Sequence, residues 1–284
     1  MNNSITNFND ILKDERAKFY LNCVNNIIKE KTSKILVCGG GVLDKAIFEA
    51  LNFKYVTISN LDTRMNENEY FPFNWKFEDA ASLSFENESF GFVVIHAAIH
   101  HASSPHKVLT EMYRVSKIGI LAFESRDSLT MRILEKLKLT QTYEHTAVFY
   151  NDCKYGGVNN TEIPNYIYRW TEREIEKTIQ SYSPYFKHKY IYRYGTAFPC
   201  TPELQRIGWF KYCFLKIIRP LSFIFFKLFP KQQNQFSFYV EKQNVKESLF
   251  PWLVIDENKN IIFNREWGKK NYKKTPEISN VFNN

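Results

Sequence analysis

The stretch Ile35-Leu36-Val37-Cys38-Gly39-Gly40-Gly41 decides the fold of this chain. Its four apolar residues are typical of a buried strand, and the three glycines come directly before a helical pattern. Glycine lets the backbone turn tightly and lie against a ligand, and the next helix begins with N–H groups that have no partner inside the helix. The stretch predicts a binding site for a nucleotide-like cofactor, although an ordinary turn between strand and helix uses the same residues.

Strand and helix patterns alternate regularly after the glycines. Strands are predicted at 55–58, 89–96 and 119–124, and a helix begins at Ser104-Pro105. The first of these strands closes on Asn60-Leu61-Asp62, about 20 residues beyond the glycines, where a polar or acidic residue binds a ribose. Alternation of this length predicts a parallel sheet.

The ordered set of motifs resembles the class I S-adenosylmethionine-dependent methyltransferases, and most of all their type 11 methyltransferase domain. The motifs, between residues 30 and 127, are Ile35 to Gly41, Asp79-Ala80, Leu83-Ser84-Phe85, Phe90 to Val94, His100-His101 and Glu111 to Lys117. The resemblance implies an α/β fold, a Rossmann-like seven-stranded and mostly parallel sheet with helices on both faces. A helical insertion and a C-terminal tail are added to it. The implied cofactor is S-adenosyl-L-methionine.

The resemblance also implies which residues bind this cofactor. They are Gly39, Gly40 and Gly41 for the methionine part, Asn60, Leu61 and Asp62 for the ribose, Asp79 with Ala80 for the adenine, and His96 with Ala97 for the methyl-donor pocket.

Three positions depart from the family pattern. Val37 stands where the family has an acidic residue, and Leu43 stands in place of a third glycine. The ribose acid is replaced by Asn60 or displaced to Asp62, and an amide lacks the charge-assisted strength of a carboxylate. These departures predict modest cofactor affinity, and they keep open a non-catalytic module with the same fold.

A nicotinamide-dependent dehydrogenase is disfavoured by Asp44. Its G-x-G-x-x-G fingerprint would need glycine at this position, and a carboxylate there would repel the pyrophosphate. S-adenosylmethionine has no phosphate and carries a positive sulfonium, so an acidic residue near the turn is compatible with it.

Histidines are the candidate catalytic residues. Methyl transfer to a hydroxyl needs one general base, and imidazole titrates near neutral pH. His100 and His101 follow the strand at 89–96, and His145 lies in a predicted substrate loop, although each can equally be a packing residue. Glu124 and Asp127 could bind sugar hydroxyls or a metal, but a solvated loop is the simpler interpretation. No group of residues has the sequence spacing of a metal site, so no metal is predicted.

Composition fits a globular enzyme inside the cell. The 284 residues are 44% apolar and 24% charged, enough for one substantial core with a smaller appendage. The five cysteines lack C-x-x-C spacing, so we expect reduced thiols rather than disulfides or zinc. The first twenty residues are polar and carry no secretion signal. We therefore expect a bacterial cytoplasmic protein.

We divide the chain into four predicted regions. They are an N-terminal helical lid at 1–30, a core at 31–200 that includes the substrate loop at 128–170, a basic amphipathic insertion at 201–235, and a last strand with a hairpin tail at 236–284.

The insertion is the most unusual region. Much of the net charge of +8 lies in the C-terminal part of the chain, and Ile217, Leu221, Ile224 and Leu228 share one helical face. Charges interrupt the stretch too often for a transmembrane span, and Pro220 predicts a break into two helices. Such helices could pack on the sheet, or they could lie on an anionic membrane at its inner face.

These patterns predict an enzyme that methylates an oxygen of a small or lipid-linked acceptor, such as a saccharide in surface-glycan assembly. The amide-rich segment 155–164 suits a hydroxyl-rich ligand, although turn formation explains it as well. An RNA methyltransferase is the second enzyme hypothesis, because aromatic and basic residues are interleaved at 182–194. No RNA-binding module accompanies them, so nucleic acid is not the expected partner.

Overall fold

The computed structural model describes residues 13–197, 209–242 and 248–272, and its centre is one seven-stranded sheet. The strands are β1 (Ile35–Cys38), β2 (Val56–Asn60), β3 (Asn74–Phe77), β4 (Phe90–His96), β5 (Ser116–Ser125), β6 (Lys189–Gly195) and β7 (Gln235–Glu241). Their order is β3-β2-β1-β4-β5-β7-β6, and only β7 runs antiparallel to its neighbours. The predicted Rossmann-like sheet is confirmed.

Helices surround this sheet. They are α1 (Glu15–Ile27), α2 (Val42–Ala50), α3 (Glu67–Tyr70), α4 (Pro105–Val115), α5 (Leu129–Lys136), α6 (His145–Tyr150), α7 (Glu172–Tyr182), α8 (Trp209–Leu228) and α9 (Arg265–Asn271). Two short strands, β8 (Leu253–Ile255) and β9 (Ile261–Phe263), pair in the predicted C-terminal hairpin.

Strand β1 shows how the core divides between the two faces of the sheet. Successive side chains of a strand point to opposite faces. Ile35 and Val37 pack in an apolar cluster with α1 and α2, and Leu36 and Cys38 pack in a second cluster with α4 and α7. All four side chains are fully buried, as expected for a central parallel strand covered on both sides.

The helix start predicted at Ser104-Pro105 is confirmed, and a second helix start has an equally local capping signal. Pro105 is the first residue of α4, where its missing N–H removes no helical hydrogen bond. Thr171 and Glu174 form the capping box of α7, since the hydroxyl of Thr171 accepts from the backbone of Glu174 and the carboxylate of Glu174 accepts from the backbone of Thr171.

Strand β3 and helix α8 differ from the sequence patterns. Strand β3 lies at the sheet edge with three of its four side chains exposed, so no apolar periodicity marks it. Helix α8 runs continuously through Pro220 instead of breaking there. Proline removes the N–H that would pair with the carbonyl of Lys216. Both residues are exposed, so water can satisfy that carbonyl.

Three further expectations can be compared with the described residues. The predicted lid contains α1, and the part before residue 13 lies outside them, as does the start of the insertion at 201–208. Cys23, Cys38, Cys153 and Cys213 are free thiols, whereas Cys200 is not described. Within the described ranges, no helix combines the length and apolar character needed to cross a membrane.

Candidate active site

The three glycines after β1 differ in what surrounds them. Gly39 has a φ of +60°, and a Cβ on it would lie 2.5 Å from the Cβ of Ala98. A Cβ on Gly40 would lie 2.7 Å from Cγ2 of Ile58, whereas a Cβ on Gly41 would meet no atom within 4 Å. Packing therefore requires the first two glycines, and the third leaves open space at the start of α2.

Asp44 ties the glycine turn to helix α1. Its Oδ2 accepts from the backbone N–H of Gly41 at 2.8 Å, and its Oδ1 accepts from the hydroxyl of Tyr20 at 2.7 Å. Burial raises the pKa of Asp44 to about 6, although the hydrogen bonds from Tyr20 and Gly41 act to lower it. The carboxylate is thus mostly ionised at neutral pH, beneath the turn.

Asn60, the last residue of β2, uses its amide to hold the neighbouring loops. Its Nδ2 donates to the carbonyl of Gly40 at 2.9 Å, and its Oδ1 accepts from the backbone N–H of Asp62 at 3.0 Å. A ribose at this position must therefore share the amide with these partners.

Asp62 is a buried carboxylate that already has a cation beside it. Arg64 donates from Nη2 to Oδ2 at 2.6 Å and from Nε to Oδ1 at 2.9 Å, and these hydrogen bonds hold the pKa of Asp62 below its usual value. Arg64 also donates to Oδ1 of Asn151 at 3.0 Å and lies 4.3 Å from the ring of Tyr155. Sequence reasoning missed Arg64, because two of its partners, Asn151 and Tyr155, lie far away in the chain.

Asp79 follows β3 and keeps one carboxylate oxygen available. Its Oδ1 accepts from the backbone N–H of Ala81 at 2.8 Å. No hydrogen bond joins Oδ2 to any of the described residues. This oxygen can accept from an adenine amino group, as the resemblance implies.

A cavity of about 330 Å³ brings these strand ends together. Seven of the ten residues predicted to bind cofactor line it, namely Gly39, Asn60, Leu61, Asp62, Asp79, Ala80 and Ala97. Gly40, Gly41 and His96 are the predicted residues that do not. Two glycines lie in the turn below the cavity, where their backbone groups bind Ser59 and Asp44 instead.

Part of the predicted substrate loop closes over this same cavity. Asn151, Gly156, Gly157, Asn159 and Asn160 belong to its wall. The amide of Asn159 accepts from the backbone N–H of Ser103 at 3.0 Å, and that of Asn160 donates to the carbonyl of Leu61 at 3.3 Å. The amide-rich segment therefore covers the predicted cofactor positions, a different place from the acceptor site that its composition suggested.

His96 belongs to a second, smaller cavity of about 140 Å³ between α1 and the ends of β4, β5 and β7. Its ring stacks on Tyr20 with centroids 4.5 Å apart. Burial, with Arg16 nearby, lowers the pKa of His96 well below its ordinary value, so the imidazole is neutral. Gln235 also lines this cavity, and its buried amide has no hydrogen-bond partner among the described residues. This polar cavity is open to an acceptor group.

His100 is buried between two carboxylates. Its Nδ1 lies 2.6 Å from Oε2 of Glu124, and its Nε2 lies 3.3 Å from Oε2 of Glu144. Burial alone would lower the pKa of His100, but the two carboxylates outweigh it and raise the pKa to about 10. His100 therefore holds its proton at neutral pH, and a histidine that is already protonated does not suit the role of general base.

His101 and His145 lie in different surroundings. His101 lines the larger cavity, with its Nε2 3.2 Å from Oε2 of Glu144. His145 begins α6 beside the ring of Tyr143 and lines neither cavity. Of the three candidate bases, His101 is the one that reaches the predicted cofactor cavity.

Glu124 and Asp127 have structural partners. Glu124 accepts from the backbone N–H of Ile99 at 2.8 Å and pairs with His100. Asp127 pairs with Arg132. Glu144 was not predicted as a site residue, because only the fold brings it to the two histidines.

The larger cavity fits S-adenosylmethionine. Its volume falls within the range of about 300–1,000 Å³ that small-molecule sites occupy. Gly39 lies at one place on its wall and the available oxygen of Asp79 at another, with Asn60 and Asp62 between them in strand order. The residues that would hold the methionine, ribose and adenine parts are thus present.

Comparison with known proteins agrees with this geometry. Residues 36–123 match the profile of a family described as Methyltransferase domain. This segment contains β1 to β5, which supply most of the cavity wall. No curated protein sequence matches the chain.

Solved structures share the fold at low sequence identity. The YcgJ protein of Bacillus subtilis is 13% identical, with a TM-score of 0.51 over 80% of this chain and 99% of that one. A possible histamine N-methyltransferase of Thermotoga maritima is 18% identical, with a TM-score of 0.47 over 82% of this chain and 92% of that one. The first similarity supports the fold, and the profile match indicates a methyltransferase domain within residues 36–123.

Proposed function

We propose that this chain, a class I S-adenosylmethionine-dependent methyltransferase, methylates a hydroxyl oxygen of a lipid-linked acceptor at a membrane surface. S-adenosylmethionine is its methyl donor. A saccharide of surface-glycan assembly is the acceptor class we favour, as the sequence suggested. The observation that carries the proposal is the exposed apolar face of α8.

Helix α8 turns an apolar stripe away from the described protein. Ile217, Leu221, Ile224 and Leu228 recur at helical spacing, and each is between 63% and 69% exposed. Had the helix packed on the sheet, this stripe would be its buried face. A stripe of large apolar residues in water is instead typical of a helix that lies in a membrane interface.

The charge around α8 has the sign that an anionic membrane attracts. Between Glu203 and Glu241 the sequence has no acidic residue and six basic ones. Lys216, Arg219 and Lys227 are exposed on α8 itself. Each basic residue near such a surface contributes about 1 kcal/mol of attraction. Charge and apolar surface therefore favour the same partner.

Methyl transfer requires alignment and removal of one proton. Bound S-adenosylmethionine supplies a methyl group on a positive sulfonium, which is a good leaving group. The protein must place the acceptor oxygen in line with that methyl and accept its proton. His101, backed by Glu144, is a polar residue of the cavity wall at which this proton can leave.

Methyl-labelled cofactor and a membrane extract test the acceptor. We expect label to enter the lipid-linked saccharide fraction. Label in RNA without any in glycan or lipid would contradict the proposal and favour the RNA methyltransferase, whose nucleic-acid binding should fall steeply with salt. Calorimetry with no cofactor binding would favour a non-catalytic module.

Vesicle sedimentation tests the membrane surface separately. We expect binding to vesicles that contain phosphatidylglycerol and little binding to pure phosphatidylcholine. The double variant Leu221→Glu with Ile224→Glu should lose most of the binding, because it places charge on the stripe. Tyr55→Glu adds one negative charge, half that of the double variant, at an exposed site outside α8 and should leave vesicle binding unchanged. Equal sedimentation of all three proteins would overturn the proposed contact.

A further inference from the structure

We infer that His100, His101 and Glu144 form a binding site for a divalent metal ion, Zn²⁺ in the first instance. The site itself stands on side-chain geometry, and only its role in the reaction rests on the proposed function. Among the described residues, one ligand atom from each of these three side chains lies within 4.8 Å of the other two. Two imidazoles and a carboxylate are a ligand set that catalytic zinc sites use.

Two of the three separations between ligand atoms match the edges of a zinc tetrahedron. Nε2 of His100 lies 3.3 Å and Nε2 of His101 lies 3.2 Å from the same oxygen, Oε2 of Glu144. A tetrahedral ion with bonds of about 2.0 to 2.1 Å holds neighbouring ligand atoms about 3.3 Å apart. The two imidazole nitrogens lie within 4.8 Å of each other, so an ion bound by all three atoms would draw the two rings closer together.

Hydrogen bonding alone explains these distances less well. A charge-assisted N–H···O bond is normally about 2.7 to 2.9 Å long, and both contacts to Glu144 are longer. The other ring nitrogen of His100 does make a short hydrogen bond, since its Nδ1 lies 2.6 Å from Oε2 of Glu124. Oε2 of Glu144 also accepts from Nδ2 of Asn165 at 3.4 Å, so the two imidazole nitrogens share this oxygen with an amide, and an ion would bind on the side of the imidazoles.

A supporting carboxylate completes the arrangement. Glu124 binds Nδ1 of His100 and is itself fixed by the backbone N–H of Ile99 at 2.8 Å. Nδ1 therefore carries the hydrogen in the neutral ring, and Nε2 faces His101 and Glu144. Metal-binding histidines usually have such a carboxylate on the other ring nitrogen. Metal binding requires neutral imidazoles, so the ion takes the place of the proton on His100.

The site opens toward the predicted reaction. His100 and Glu124 are buried, but His101 and Glu144 are 28% and 30% exposed, and His101 lines the larger cavity. A metal held by three protein ligands keeps a position for another ligand. A cation at this wall would bind the acceptor hydroxyl and lower its pKa, so that the proton passes to water while His101 serves as a metal ligand.

Metal analysis of the full-length protein tests the inference. The purified protein is incubated with Zn²⁺, desalted and analysed for metal per chain, and Co²⁺ absorption provides an independent readout of the ligands. We expect one ion per chain. Glu144→Gln and His101→Ala should lower the affinity at least tenfold, and Glu124→Gln should lower it by about tenfold through the orientation of His100. His106→Ala removes an exposed histidine of α4 and should bind as the unaltered protein does.

Controls separate this inference from the proposed function. Circular dichroism and thermal melting establish that each variant folds. Asp79→Ala should weaken S-adenosylmethionine binding and leave Zn²⁺ binding unchanged, whereas Glu144→Gln should weaken Zn²⁺ binding and leave cofactor binding unchanged. Absence of Zn²⁺ binding in the unaltered protein, or equal binding in all variants, would overturn the metal site and leave the methyltransferase proposal intact.

Discussion

Two parts of the larger cavity are held in place differently. One part consists of residues at strand ends, and the other consists of His101, Arg64 and the loop that contains Asn151. Gly39, Asn60 and Asp79 lie at or just after the ends of β1, β2 and β3, so the order of strands places them. His101 meets Glu144 and Arg64 meets Asn151 only because distant segments fold together. Backbone packing fixes the first part, and side-chain contacts fix the second. We therefore expect substitutions in the two parts to have different kinds of effect.

The largest effect is expected at the first glycine. Gly39→Ala adds a Cβ that would lie 2.5 Å from Ala98 and forces a non-glycine residue to a φ of +60°. We expect the free energy of unfolding to fall by about 3 kcal/mol, with loss of cofactor binding, because overpacking and the left-handed conformation both destabilise the folded state. Gly41→Ala meets no atom and should cost less than about 1 kcal/mol. Equal urea midpoints for the two variants would contradict the packing argument.

Asp44 should make stability depend on pH in an unusual direction. Its pKa is about 6 in the folded protein and 3.8 as the reference value, so the folded state binds more protons between these values. The free energy of unfolding should therefore fall as pH rises from about 4 to 6, by up to about 3 kcal/mol.

Urea titrations across this pH range measure the effect of Asp44. Asp44→Asn should flatten the dependence, because the amide does not titrate. Tyr20→Phe removes one hydrogen bond that lowers the pKa of Asp44, so this pKa should rise. The free energy of unfolding should then continue to fall up to a higher pH than in the parent. A variant and parent with identical pH profiles would show that Asp44 is not the titrating group.

Asp79 should affect cofactor affinity more than stability. Its Oδ2 is the oxygen without a partner, and a hydrogen bond to a charged group contributes about 1.5 to 3 kcal/mol. Asp79→Ala should weaken S-adenosylmethionine and S-adenosylhomocysteine binding about ten- to hundred-fold by calorimetry. Asp79→Asn keeps an oxygen that accepts from the backbone N–H of Ala81, so its cofactor affinity should fall less than that of Asp79→Ala. Unchanged binding in Asp79→Ala would place the adenine elsewhere.

The smallest effect is expected at Arg64. This side chain is 41% exposed, so its pairing with Asp62 contributes little to global stability. It nevertheless joins Asp62 to Asn151 and Tyr155. Arg64→Ala should increase amide hydrogen exchange several-fold in residues 151–160 without moving the melting temperature by much. Arg132→Ala, which breaks an exposed pair with Asp127, should leave that exchange unchanged.

The fold was largely predictable from the sequence because its signals are local. Four apolar residues before three glycines, a proline at the start of α4 and the Thr171–Glu174 capping box each act within a few residues. Strand β3 escaped prediction because an edge strand with exposed side chains has no apolar period. The path of α8 through Pro220 also differed, since exposure lets water replace the missing hydrogen bond.

The candidate site was predictable only in its cofactor half. Seven of ten predicted positions line the cavity because each follows a strand, and parallel strands end at one edge of the sheet. His96 faces the smaller cavity instead, because its ring turns toward Tyr20 of α1. No local signal indicates which side of a strand end a side chain will reach.

The sequence by itself determined the class of fold, the strand-end residues that line the larger cavity and the basic, apolar character of α8. These depend on residue type and spacing, which the chain carries along its length. Tertiary structure alone decided that Glu124 and Glu144 enclose His100 and that Arg64 reaches Asn151. The physical reason is that charges and hydrogen bonds act over a few ångströms in space, and a linear sequence does not state which distant residues come that close.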